Sequence, residues 1–139
     1  MALIGRLHPL LVHFPIGLVL FAAVAEVVAM TTGLSDWRAA ALASLRVGAA
    51  FGIGAAIAGW RLASSPGIEA TPSLEWHRWL GSIATVAVVG AALAAAGARG
   101  RSSLAIWVYR MTLFWAAALV AVTGHLGGLL VWGADFLRP

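Results

Sequence analysis

Four separate apolar runs, each long enough to cross a bilayer as a helix, crowd into a chain of 139 residues. A hydrocarbon core takes about 20 helical residues to span. The runs read as about 9–30, 38–60, 77–97 and 104–132. In lipid every backbone polar group must be satisfied internally, so spanning segments are helices or closed barrels. These runs are rich in Ala, Leu and Gly and lack the polar alternation of barrel strands. The chain is therefore predicted to be all-α, a single domain over 1–139 that forms an integral membrane four-helix antiparallel bundle.

Composition agrees: 62% of residues are hydrophobic and 10% charged, too little charge to cover a water-soluble domain. A net charge of +4 could suggest nucleic acid. The nine positive residues are all Arg, scattered at the ends of apolar runs, where they meet lipid headgroups rather than form a basic stripe. The absence of cysteine excludes disulfides, iron–sulfur clusters, thiolate zinc sites and covalently attached c-type haem. Arg6, an apolar stretch and Ala23-Val24-Ala25 have the layout of a signal peptide. The segment is expected to stay as the first membrane helix.

Even parity puts both termini and the middle connection, 62–76, on one face. Trp60, Trp76, Trp79 and Trp132 would belt that face, with Trp37 and Trp107 marking the other. Arg38, Arg46, Arg99, Arg101 and Arg110 lie toward the second face, against Arg6, Arg61, Arg78 and Arg138 on the first. That excess points the termini away from the cytoplasm. Asp36 is the expected N-cap of the second helix. Gly48 and Gly52, followed by Gly54, Ala58 and Gly59, predict close helix packing, in notches that would also admit a flat macrocycle.

The same parity gathers all four histidines on the face of the termini. His8 and His77 stand at the boundary. His13 and His125 lie deeper, roughly 6–10 Å inside it at 1.5 Å per residue. A boundary imidazole can remain wet or bond a backbone carbonyl, whereas one at depth needs a partner. Gly124, Gly127 and Gly128 strip one wall beside His125, as a haem ring pressed against backbone would require. A haem between two imidazoles is an electron-transfer centre. On this reading His13 and His125 are the axial or metal ligands of one b-type haem. His8, His77 and Arg78 would then bond its propionates; with two haems, His8 and His77 would be ligands too.

The segments Leu7-His8-Pro9-Leu10-Leu11-Val12-His13-Phe14-Pro15-Ile16, Gly59-Trp60, His77-Arg78-Trp79-Leu80-Gly81 and Thr123-Gly124-His125-Leu126-Gly127-Gly128 together resemble a bacterial family of four-helix membrane proteins of unknown function. Its members occur alone or fused to c-type cytochrome domains. The resemblance covers essentially the whole chain and implies an extracytoplasmic redox setting, with the C-terminus outward. This chain has no Cys-x-x-Cys-His, so a redox partner would be a separate membrane or c-type cytochrome subunit. The resemblance supplies no ligand, substrate or activity.

Glu26 and Arg46 are charged residues inside the first two runs. Such groups are costly in lipid, and a structural ion pair between them is the economical reading. Arg110 could join them or reach the headgroups, and Trp115 needs an acceptor if buried. No nucleophile triad, phosphate loop or paired carboxylate appears. The expected function is a redox subunit with b-type haem near the outer face of a bacterial inner membrane, within a larger complex. A cofactor-free structural or assembly subunit and a mononuclear metal site built from the same histidines are the alternatives.

Overall fold

Each apolar run becomes helix in the computed structural model of the chain, which describes residues 2–98, 102–133 and 135 (for Ala2 the backbone alone). Arg99, Arg101 and Arg138, part of the charge comparison above, lie outside the described residues. Six helices follow in order: α1 (Ala2–Arg6), α2 (His8–Leu11), α3 (His13–Thr32), α4 (Ser35–Ala63), α5 (Pro72–Gly97) and α6 (Ser103–Trp132). No strand occurs among the described residues. Leu3–Thr32 makes one helical path, so four segments are long and apolar enough to cross a membrane.

Interruptions in the first path fall at Leu7 and Val12, just ahead of two prolines. Pro9 and Pro15 lack an N–H, and each sits in the first turn of its helix, where an intrahelical donor is dispensable. Val12 keeps right-handed helical dihedrals (φ −64°, ψ −25°), so the path continues. Gly33 ends α3 in the left-handed conformation at φ 73°, its N–H donating to the Ala29 carbonyl. That geometry favours glycine and reverses the chain within two residues.

Two boundaries differ from expectation. Asp36 is not the N-cap of α4; Leu34 holds that position and Asp36 lies in the first turn, where its charge still suits the helix dipole. The middle connection is shorter than 62–76, because α5 begins at Pro72. Thr71 caps it, its Oγ1 accepting from Leu74 N–H at 3.2 Å. The polar start of α5 is thus helix.

Sequence neighbours are neighbours in space, α3 with α4, α4 with α5 and α5 with α6, and α3 meets α6 to close the bundle. Small side chains fill the centre: Ala22, Ala49, Ala84, Ala91 and Ala116 pack with Val19, Leu45, Val88 and Leu113. In lipid such helices associate through close packing rather than by escaping water. Gly48 shows how close: a Cβ there would stand 3.0 Å from Val19 Cγ2. Trp76, Trp79 and Trp132 are exposed toward one end and Trp37 and Trp107 toward the other. Trp115 is exposed too, which removes its need for a buried acceptor.

Gly5 makes the tightest backbone approach. A Cβ there would meet Leu62 N at 2.9 Å and Leu62 Cα at 3.0 Å, atoms that cannot rotate away. Gly5→Ala is expected to lift α1 from the end of α4 while the bundle stays folded. Hydrogen exchange should then rise in α1 alone; unchanged protection there would contradict the contact.

Candidate functional site

A cavity of about 650 Å³ opens at the end of the bundle that holds the termini. That volume lies within the range of roughly 300–1,000 Å³ typical of cofactor and ligand sites. His8, His13, His77 and Arg78 line it, with Gly52, Gly59, Gly81, Gly124, Gly127 and Gly128 among the small residues of its wall.

Two histidines occupy built seats. The His8 ring lies against Gly59 of α4, where a Cβ would come within 2.8 Å of its Cε1. Its Nδ1 donates to the Ala55 carbonyl at 2.8 Å. A carbonyl can only accept, so the proton in this bond is on Nδ1. The His77 ring lies against Gly127 of α6, where a Cβ would come within 2.9 Å of its Cε1. Its Nδ1 is buried with no hydrogen-bond partner. The two ring centroids stand 6.2 Å apart with planes at 78°. Beside them, the Arg78 guanidinium covers the Trp60 ring at 4.1 Å, and its Nε is likewise buried and unpartnered. Trp60 is held in turn by its indole N–H, which donates to Ser82 Oγ at 2.9 Å.

Of the two histidines expected to flank one ring, His13 borders this cavity and His125 does not. His125 is exposed on α6 and does not line the cavity. Helical phase explains it. The inward stripe of α6 runs Leu113, Ala116, Val120, Gly124 and Gly127. His125 follows Val120 by five positions, a rotation of about 140° away from that stripe. His13 borders the cavity but is exposed, two positions from the buried Pro15. The boundary histidines, His8 and His77, are the ones brought together. The three glycines of α6 also have separate roles: Gly124 faces Ile16, Gly127 seats His77, and Gly128 borders open space, with nothing within 4 Å of where a Cβ would stand.

At the opposite end, Glu26 is fully buried, as a charged residue inside a bundle must be if it is paired. Its partners differ from expectation. Arg110 Nε donates to its Oε1 at 2.9 Å, Arg38 Nη2 stands 3.2 Å from the same oxygen, and Tyr109 OH donates to Oε2 at 3.1 Å. Arg46 is exposed on α4. Depth decides the matter. Glu26 lies about 9 Å from the end of α3, Arg110 about 10 Å from the start of α6, and Arg46 about 16 Å from the start of α4. Arg38, about 5 Å in, reaches the carboxylate with its long side chain.

Neither Gly59 as the seat of His8 nor Tyr109 as a partner of Glu26 was singled out from the sequence. Tyr109 adjoins Arg110, and its place on the inward stripe, four positions before Leu113, is the signal that could have found it. No three His, Asp or Glu side chains converge as a metal-ligand set among the described residues. No curated protein and no solved structure matches the chain. The model of a family described as predicted membrane protein (DUF2231) matches residues 6–136, nearly the whole length, and with its four membrane-length helices the chain belongs to that family.

Proposed function

We propose that the chain is a membrane-embedded redox subunit whose histidine cavity would hold one b-type haem through His8 and His77. The observation that carries this reading is the pair of seated imidazoles. Their ring centres stand 6.2 Å apart at the same cavity, so both imidazoles could hold one group there. The carbonyl bond at His8 Nδ1 is the second-shell contact that fixes a ligating tautomer. Unpartnered Arg78 Nε suits a haem carboxylate. A haem brings four nitrogens of its own, so two protein ligands suffice, whereas a mononuclear metal would need a larger protein set than converges here. Bound haem supplies one-electron chemistry; the chain binds it, orients it and shields it from lipid.

This reading places the protein in a bacterial inner membrane with both termini extracytoplasmic, and with other membrane or c-type cytochrome subunits as partners. Exposed Arg46 in the middle of α4 supports a protein partner, since a lipid-facing guanidinium is costly. The runner-up is a cofactor-free structural or assembly subunit. It draws on the His8–Ala55 bond, which by itself satisfies one imidazole nitrogen.

The test is iron and pigment analysis of protein purified from a haem-replete host, with a reduced-minus-oxidised spectrum. Wild type and His125→Ala are expected to show a b-type signal, and His8→Ala and His77→Ala to lose it. A colourless, iron-free wild type leaves the structural reading in its place.

A further inference from the structure

A second cavity, of about 520 Å³, lies at the end of the bundle away from the histidines. Its wall includes Arg38, Arg110 and the turn into α4, Gly33, Leu34 and Ser35. We propose that this cavity binds one phosphate group at the membrane boundary, supplied by a phospholipid headgroup or by free phosphate, through Arg38 and Arg110. The proposal is independent of what the histidine cavity holds.

Charge is the first argument. Two guanidiniums meet one carboxylate, Glu26, so the cluster keeps an excess of one positive charge. Both oxygens of Glu26 are already engaged, by Arg110 and Arg38 on Oε1 and Tyr109 on Oε2. The carboxylate therefore has little left to offer the outer edges of the guanidiniums. Asp36 is the nearest further acid in sequence, but it is exposed and does not line the cavity.

An orphaned donor is the second argument. Arg38 Nε is buried and has no partner. Three buried side-chain nitrogens lack partners among the described residues: Arg38 Nε, His77 Nδ1 and Arg78 Nε. The other two line the histidine cavity, and Arg38 lines this one. A buried donor left unmade costs more than an exposed one, and an acceptor in the cavity would remove that cost.

Position is the third. Leu34 and Ser35, at the start of α4, line the cavity, so the positive end of the helix dipole lies beside it. Trp37 and Trp107, both exposed, mark this level as the headgroup zone, and Arg110 lies 5.7 Å from the centre of the Trp107 ring. A phosphodiester there sits at the depth of the cavity mouth. Arginine forks match phosphate oxygens better than any other side chain does.

The experiment uses the full chain in detergent. Delipidated protein is offered vesicles of phosphatidylcholine with phosphatidylglycerol, or inorganic phosphate alone, and bound phosphorus is counted after gel filtration. About one phosphate group per chain is expected. Retention from vesicles alone identifies a lipid site, and retention from inorganic phosphate identifies a soluble anion. Arg38→Gln should reduce binding at least ten-fold. Ala39→Phe, which fills the cavity and leaves both arginines, should do the same if Arg38→Gln fails to fold. Arg46→Gln, outside the cavity on the same helix, should bind as wild type. Absence of bound phosphorus in wild type overturns the proposal, as does equal loss in Arg46→Gln or wild-type binding by Ala39→Phe.

Discussion

Glu26→Ala is expected to destabilise the bundle by about 3–5 kcal/mol, the usual cost of removing one partner from a buried ion pair. The substitution strands three donors at once. Arg110, which is 15% exposed, loses its carboxylate partner, and buried Tyr109 loses its acceptor. Arg38 is freer, at 36% exposed, and can turn outward. Glu26→Gln keeps an acceptor oxygen but removes the charge, so its loss should be smaller. Arg46→Ala should change stability by no more than about 0.5 kcal/mol, since the side chain is exposed and outside the cluster. Thermal unfolding in detergent measures all three. Equal losses for Glu26→Ala and Arg46→Ala would mean that Arg46 is the true partner.

The error over Arg46 shows where sequence reasoning stops. Span number, parity and the face that carries the histidines follow from apolar run length alone, and they hold. Which charges meet depends on depth, and depth can be counted from each helix end. Counting links Glu26 with Arg110 and leaves Arg46 too deep. The histidines part for a different reason: His125 is exposed, turned from the inward stripe by its phase relative to Leu113, Ala116 and Val120. That phase was also legible, in the spacing of Gly124 and Gly127 with those residues. The seating of His77 on Gly127 and of His8 on Gly59 was not. It depends on the relative register of helices joined by connections whose geometry the residues do not specify.

Those seats allow the haem reading to be tested without touching a ligand. Gly127→Ala is expected to abolish the b-type spectrum while leaving the fold intact. A Cβ at Gly127 would lie 2.9 Å from His77 Cε1 and 3.5 Å from its Nδ1, closer than carbon atoms normally approach. The obstacle is the tip of a rotatable side chain, so the imidazole swings aside and the backbone stays. Gly59→Ala should act on His8 in the same way, at 2.8 Å, and should also break the bond from His8 Nδ1 to Ala55. Two paired imidazoles tolerate little displacement, because metal–nitrogen bonds of about 2 Å lengthen at steep cost. Gly90→Ala is the control, on α5 outside the cavity with nothing within 4 Å of its added carbon. It should keep the spectrum. Circular dichroism and the melting temperature separate a lost site from a lost fold. A spectrum that survives both Gly127→Ala and Gly59→Ala would show that neither seated histidine is an axial ligand.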